Sequence, residues 1–280
     1  MPLAETGELI HAAAARGSAV AAFNVIQLEH AEAVVAGAAQ VGASVILQIS
    51  QNAVRFHGAL DPIATATLEV ARAADIPVAV HLDQVTDVDL ALHAVELGLG
   101  SLLVDAAALP PEDRLSVTAE LVAHCHRHGV WVEASCPSPA GDPADAASFV
   151  AETGVDALAL PAVSVSSTAT SGPGRSIGVD LPMVERLRRS VRVPLVLHGV
   201  GGATDAALVA AVRRGVTKVA LASHLDRSYT RAVRDYLAAD PQTVDPSGYL
   251  AAVRSAVTSE VLRLLAVLAT AERPVGGRSG

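Results

Sequence analysis

The chain has few of the residues on which small secreted scaffolds and aromatic cores depend. Its 280 residues include only two cysteines, Cys125 and Cys136, too few for a disulfide-built fold. Aromatic residues make up 2% of the chain, and lysine occurs once, as Lys218, beside nineteen arginines. We therefore expect a core of small and branched side chains, chiefly Ala and Val, without stacked rings.

Positive charge and long apolar runs are also scarce. The formal net charge of -9 disfavours nucleic acid or an anionic membrane as the main partner, because both require a basic surface. No window of about 18 residues is apolar without charge, which predicts no membrane span. Residues 1–16 contain no basic segment followed by an apolar stretch, so we expect no signal peptide and a cytoplasmic location.

The remaining composition is that of a folded globular protein, with 51% hydrophobic and 18% charged residues. Short β-rich runs alternate with longer Ala-rich helical stretches. Strands are predicted at Ser18–Phe23, Ser44–Ile49, Pro77–Leu82, Ser101–Val104, Val130–Glu133, Ala157–Leu160, Pro194–His198 and Lys218–Ala222. Helices are predicted at 27–41, 60–74, 86–97, 111–127, 143–153, 181–190, 203–214, 225–238 and about 247–271.

Eight strand–helix units in about 240 residues predict an α/β fold, a (β/α)8 TIM barrel. Thr86 with Asp87 and Thr204 with Asp205 are expected to open helices. An open doubly wound sheet is the alternative, but no strand is followed by a G-x-G-x-x-G turn. We expect one barrel domain over residues 1–272, with a C-terminal helical extension, and a flexible tail at 273–280.

In such a barrel the active site lies at the carboxyl ends of the strands, here called the rim. Polar residues collect at the predicted strand ends, and a functional rim explains their grouping better than chance does. They are Asn24, Ser50, Asp83, Asp105, Glu133, a Ser/Thr tract from Ser164, His198, Ser223 and His224.

Seven segments in order along the chain resemble the class II fructose-bisphosphate aldolases, including the tagatose-bisphosphate aldolases. They are Ala22-Phe23-Asn24, Leu47-Gln48-Ile49-Ser50, His81-Leu82-Asp83, Val132-Glu133-Ala134, Gly154–Ala159, Val196–Gly199 and Gly215–Val219. The resemblance implies a barrel that forms a homodimer or larger homo-oligomer. It also implies cleavage of a ketose bisphosphate with a zinc ion held by three His, and an Asp that moves a proton.

The sequence departs from the family pattern at the site itself. The first zinc-binding His aligns with Gln84 and the second with Ser166, so that His198 is the one retained position. The Ser of the family's phosphate loop aligns with Gly201, and the Asn that contacts the enediolate aligns with Ala220. Since Gln and Ser are weak neutral donors, no metal and no other cofactor is expected, although zinc with replaced ligands stays open.

Asp83, Glu133 and His198 are the expected catalytic residues. Asp83 could instead cap a helix, Glu133 could pair with an Arg, and His198 could be a remnant of an ancestral site. The expected substrate-binding residues are Asn24, Ser50, Gln84, Ser166, Gly199, Gly201, Gly202 and Ser223. The Gly-rich turn at 199–204 suits a phosphate or another anion, or is simply a tight turn.

Other residues with reactive side chains are expected to take no part in catalysis. Lys218 begins the last predicted strand, which places it at the floor of the barrel and argues against Schiff-base catalysis. Cys136 could be a nucleophile but is more commonly inert at such a position. His124, His126 and His128 indicate a solvated helix end. The segment 166–178 is flexible by composition, and its Arg175 could clamp an anion.

The leading hypothesis is a divergent aldolase-like enzyme with metal-independent acid–base chemistry on a small polar substrate that can be phosphorylated. Aldol or retro-aldol cleavage suits this residue set, as does a related elimination or isomerisation, in a specialised pathway. Ordinary fructose-bisphosphate aldolase activity is expected to be weak or absent. Two alternatives remain: a non-catalytic barrel that binds a sugar phosphate or a partner subunit, and a zinc aldolase with replaced ligands.

Overall fold

A computed structural model describes residues 3–138, 141–160, 163–164 and 177–271 of the chain. Eight parallel strands close into a barrel in the order β1-β10-β9-β6-β5-β4-β3-β2. Its strands are β1 (Val20–Asn24), β2 (Val45–Ser50), β3 (Val78–Val85), β4 (Ser101–Val104), β5 (Trp131–Ser135), β6 (Ala157–Leu160), β9 (Leu195–Leu197) and β10 (Val216–Ala220). A separate two-residue antiparallel pair joins β7 (Val163–Ser164) to β8 (Ile177–Gly178).

Helices alternate with the barrel strands along the chain, which confirms the predicted (β/α)8 architecture. They are α1 (Thr6–Ala15), α2 (Leu28–Gln40), α3 (Gln51–His57), α4 (Asp61–Ala73), α5 (Val88–Glu96), α6 (Arg114–Arg127), α7 (Pro143–Thr153), α8 (Leu181–Ser190), α9 (Asp205–Arg213), α10 (Ala222–Ala239) and α11 (Pro246–Ala269). None of the described helices is long and apolar enough to cross a membrane.

The predicted helix boundaries have the expected chemistry. The Asp87 carboxylate accepts hydrogen bonds from two backbone N–H groups at the start of α5, and the Thr204 hydroxyl accepts one at the start of α9. Asp142 and Asp245 cap α7 and α11 in the same manner. These caps set where each helix starts and therefore the length of the loop that precedes it.

Two helices were not predicted from the sequence. Helix α1 covers the amino ends of the strands, which form the floor of the barrel. Just before this helix, the Ala4 amide donates to the carbonyl oxygen of Val78, the first residue of β3. Its apolar side chains pack against interior residues of the strands, in a cluster of Leu9, Ile10, Ala13, Val20, Ala22, Ile46 and Ala79. Helix α3 follows β2 directly, and the Ser50 hydroxyl caps it by accepting from the Ala53 amide.

Lys218 is not at the floor of the barrel, which corrects the expectation. It is the third residue of β10 rather than the start of a strand, and its side chain is fully buried. Its Nζ atom lies 2.8 Å from both carboxylate oxygens of Glu133, inside the barrel. The strand begins two residues earlier than predicted because Val216 already pairs with Leu195 of β9.

Candidate active site

Asp83 and His198 meet at the rim. Asp83 is the sixth residue of β3, and His198 directly follows β9. The Nε2 atom of His198 lies 2.8 Å from Oδ1 of Asp83. The side chain of Asp83 is 2% exposed and that of His198 is 13% exposed. The imidazole therefore faces the carboxylate with one nitrogen and leaves Nδ1 for other partners.

The charge state of His198 follows from two opposing effects. Burial lowers the pKa of His198, but attraction by the Asp83 carboxylate and the hydrogen bond to it raise the pKa more, so that the net direction is upward from 6.5. Imidazole with an ordinary pKa already titrates near neutrality. The upward direction favours the imidazolium form of His198 relative to a free imidazole.

Gln84 is brought beside the same imidazole by an irregularity in β3. The pairing of β3 with β4 shifts between Leu82 and Val85, and Gln84 has a φ of 53°, in the left-handed region that residues other than glycine rarely adopt. As a result two consecutive residues approach one ring, because Gln84 Nε2 lies 3.5 Å from Nδ1 of His198. The strained backbone is found at the functional rim, where such conformations concentrate.

Gln48 is a site residue that the sequence reasoning missed. Its Nε2 atom donates to Oδ1 of Asn24, and it lies 3.3 Å from Oδ2 of Asp83. Gln48 is fully buried, so its amide fixes Asn24 and the second oxygen of Asp83 in one arrangement. The available signal was an amide two residues before Ser50 on β2, within an otherwise apolar run.

Glu133 lies deeper than the rim. It is fully buried, and the ammonium group of Lys218 binds both of its carboxylate oxygens, so its partner is a lysine and not an arginine. Burial raises the pKa of Glu133, and the Lys218 charge opposes that rise. We therefore place Glu133 below the Asp83–His198 pair rather than beside it.

The Gly-rich turn after β9 lies against the start of α10. A Cβ atom at Gly201 would come within 2.4 Å of Oγ and 2.5 Å of Cβ of Ser223, which is closer than real contacts allow. Ser223 is in the first turn of α10, whose first residues have no side-chain cap. Gly199, with a φ of 67°, turns the chain toward this helix end.

The remaining residues that the sequence singled out differ in how available they are to a substrate. Asn24 and Ser50 lie at the rim, but the Ser50 hydroxyl is occupied as the cap of α3. Cys136 is buried, and burial raises the pKa of its thiol, which favours the unreactive form. His126 lies at the far end of α6, and its Nε2 atom is 2.9 Å from Oδ2 of Asp156. Ser166 and Arg175 lie outside the described residues.

The zinc ion implied by the resemblance does not fit the residues described here. Gln84 offers only a neutral amide at the first position, and Nε2 of His198 is engaged by Asp83. Among the described residues, no group of three or more His, Cys, Asp or Glu side chains is arranged to hold a metal ion. The donor chemistry is that of a hydrogen-bonding site.

The fold and the rim define a class, the (β/α)8-barrel proteins with a polar site at the carboxyl ends of the strands. Within that class, residues 4–273 match the family model described as fructose-bisphosphate aldolase class-II. Since the match covers nearly the whole chain, the chain belongs to the class II fructose-bisphosphate aldolase family.

Solved structures agree with this assignment. The YdjI aldolase from Escherichia coli K12 is 27% identical, with a TM-score of 0.82 over 95% of this chain and 97% of that chain. The fructose-bisphosphate aldolase from Campylobacter jejuni is 19% identical, with a TM-score of 0.78 over 94% of this chain and 93% of that chain. At that lower identity the second likeness supports the fold alone.

Proposed function

We propose that this chain is an aldolase-type lyase that breaks or forms a carbon–carbon bond next to a carbonyl group by acid–base catalysis without a metal. The hydrogen bond between Asp83 and His198 carries the proposal, because it pairs a titratable imidazole with a buried carboxylate at the catalytic rim of an aldolase-family barrel. The family match supports the aldolase type of reaction.

His198 is assigned as the group that exchanges protons with the substrate. Its Nε2–H donates to Asp83, so that Nδ1 is the nitrogen that can accept a proton from the substrate or return one to it. Both oxygens of Asp83 have partners, His198 and Gln48, and its side chain is buried. We therefore assign Asp83 the role of orienting the imidazole, in place of the direct proton transfer expected from the sequence.

Gln84 is assigned as the group that holds the substrate carbonyl. Its amide lies next to Nδ1 of His198 and is exposed at the rim, with N–H groups available to donate. Negative charge that develops on a carbonyl oxygen is stabilised by donors fixed in advance, and one such donor contributes about 3 kcal/mol in other enzymes. Ser166, at the second aligned position, is proposed as a further donor.

The substrate is proposed to be a small polar compound that carries a phosphate. The Gly199–Gly202 turn and the uncapped start of α10 offer backbone N–H groups, which suit an anion at the end of the last barrel strands. Ser223 adds a hydroxyl at the same place, and Asn24 is proposed as a further polar contact at the rim.

The proposed retro-aldol step needs only these groups. Neutral His198 takes the proton of the substrate hydroxyl through Nδ1, the carbon–carbon bond breaks, and an aldehyde leaves. The bonding electron pair passes to the carbonyl oxygen as an enediolate, which the Gln84 amide stabilises. The imidazolium then returns its proton to the carbanion carbon, so that protons and electrons balance.

The enolisation half of this reaction can be tested directly. Dihydroxyacetone phosphate is incubated with the purified protein in D₂O with EDTA, and loss of the C–H signal at the reacting carbon is followed by NMR. We expect exchange that persists in EDTA and is lost in His198→Asn, while the exposed control His128→Asn exchanges like the wild type.

Cleavage of a panel of ketose phosphates, read as aldehyde release, then identifies the natural substrate class. Exchange that disappears with EDTA and returns with zinc would replace the proposal by a zinc enzyme with other ligands. Binding of dihydroxyacetone phosphate without exchange or cleavage would favour a non-catalytic barrel. Light scattering tests the expected homodimer or larger assembly.

A further inference from the structure

A continuous line of hydrogen bonds runs inside the barrel from the floor toward the active site. Thr6 of α1 is bonded to Ser101 at 2.6 Å, and Ser101 to Nδ1 of His81 at 2.8 Å. Nε2 of His81 lies 3.3 Å from Nζ of Lys218, which binds both oxygens of Glu133. All five side chains are buried, at 1% exposure or less.

Each N–H donor of the Lys218 ammonium group has an acceptor nearby. An ammonium group has three N–H donors and no acceptor, and here it faces three acceptors, the two oxygens of Glu133 and Nε2 of His81. A buried charge is tolerated when it is paired and fully hydrogen-bonded. The planar fork of arginine would not reproduce this arrangement, although every other basic residue of the chain is arginine.

The donors of Lys218 also fix the direction of the line. Because the ammonium can only donate, Nε2 of His81 must accept, and the ring proton must lie on Nδ1. The Nδ1–H then donates to Ser101, and the Ser101 hydroxyl is in turn hydrogen-bonded to Thr6. Burial, together with the charges of Lys218 and His198, holds the pKa of His81 well below 6.5, which is consistent with a neutral ring of this one tautomer.

This line ends directly under the catalytic pair. Lys218 pairs with Val196, two residues before His198, and His81 stands two residues before Asp83 on β3. Alternate residues of a strand face the same side, so Lys218 and His81 form the interior layer below His198 and Asp83. The charges of Lys218 and Glu133 both act on His198, in opposite directions.

We propose that Lys218 is a positioning residue of the active site, which holds Glu133 and His81 in one arrangement beneath the Asp83–His198 pair. The inference deepens the proposed acid–base function and rests on it. Lys218 touches no substrate in this role. It fixes the layer on which Asp83 and His198 rest, and it balances the buried charge of Glu133 next to them.

The test replaces the ion pair by apolar side chains of similar size, Lys218→Met with Glu133→Leu, since such replacements commonly preserve stability. The matched control is Arg214→Met with Glu185→Leu, which removes a half-exposed ion pair by the same kinds of substitution. We expect the buried double variant to have a melting temperature near that of the wild type. Its rate of deuterium exchange should fall roughly tenfold to 100-fold, and the fall should appear in kcat while KM changes little. The control should lose none.

Nitrogen-15 NMR of the histidine rings gives a second reading. The His81 signals are identified as those that are absent from the spectrum of His81→Gln. We expect His81 to carry its ring proton on Nδ1 in the wild type and to lose this preference in the double variant. A proton on Nε2 of His81 in the wild type overturns the proposal, and so does wild-type exchange in a folded double variant.

Failure of the proposed function remains distinguishable from failure of this inference. If the wild type exchanges no deuterium, the proposed function fails for this probe. The nitrogen-15 signals of the His198 ring then test whether Lys218 positions the site. Signals that change in the double variant but not in the control support positioning by Lys218, and identical signals overturn it.

Discussion

Nε2 of His198 lies 2.8 Å from Oδ1 of Asp83, although the two residues are 115 positions apart in the sequence. The carboxylate is almost completely buried, and its second oxygen is approached by Gln48. The imidazole is therefore held by a carboxylate that has no free oxygen for the substrate. This relationship supports the proposed division of roles, in which His198 exchanges protons and Asp83 orients the imidazole.

Removing the charge of Asp83 should abolish most of the proton transfer. In Asp83→Asn the amide can donate to Nε2 of His198, which favours the tautomer with its proton on Nδ1 and blocks the proposed base. We expect deuterium exchange into dihydroxyacetone phosphate to fall roughly 100-fold to 10,000-fold. Asp87→Asn, a surface helix cap that Asn can also provide, is the control. Undiminished exchange in Asp83→Asn would show that His198 does not depend on this carboxylate.

His30 should make the protein sensitive to acid. Burial lowers its pKa to about 4, with Glu29 opposing the shift only in part, and the ring stacks on Tyr229. The unfolded chain binds this proton near pH 6.5, so the contribution to stability is present above about pH 6.5 and is lost as the pH falls toward 4. The full loss corresponds to about 3 kcal/mol.

His30→Phe keeps a ring against Tyr229 and removes the titration. We expect urea unfolding to show a smaller drop in unfolding free energy between about pH 7.5 and about pH 4.5 in this variant than in the wild type. The exposed His128→Phe should behave like the wild type. An equal drop in all three proteins would mean that other groups determine acid unfolding.

Gly201→Ala should disturb the turn that is proposed to bind phosphate. The new methyl group would overlap both the hydroxyl and the Cβ atom of Ser223, at a cost of about 1–3 kcal/mol. We expect a lower melting temperature and weaker retention of dihydroxyacetone phosphate, measured by calorimetry. Adding Ser223→Gly should relieve the clash, whereas Ser223→Ala should not, because its Cβ remains. Equal rescue by both would contradict this contact.

Restoring imidazoles should restore zinc. Gln84→His with Ser166→His supplies imidazoles at the two positions that align with the family's zinc-binding His residues. Together with His198 they complete three imidazoles, a common zinc ligand set. We expect about one zinc per chain by mass spectrometry after zinc loading and desalting, against little in the wild type, together with reduced metal-independent exchange. The single variants are the controls. Near-stoichiometric zinc in the desalted wild type would show that other ligands exist.

Local sequence patterns predicted most of the framework. The Ser101–Val104 and Ala157–Leu160 strands and the helix at 143–153 were predicted with the observed bounds, because their ends are marked by turns and caps. Helix α1 was missed because contact with the barrel floor, and not a strong pattern of its own, holds it in place. Helix α3 was missed because it follows β2 without a break.

The sequence by itself determined the (β/α)8 fold, since alternating strand and helix periodicities act within a few residues. It also marked Asp83 and His198 as rim residues, because each lies at the end of a predicted strand. Only the tertiary structure decided that Lys218 lies within the barrel beside Glu133, that Gln48 holds Asp83, and that Gln84 reaches His198. Those relations join strands far apart along the chain, and barrel closure and strand register, which no local pattern specifies, bring them together.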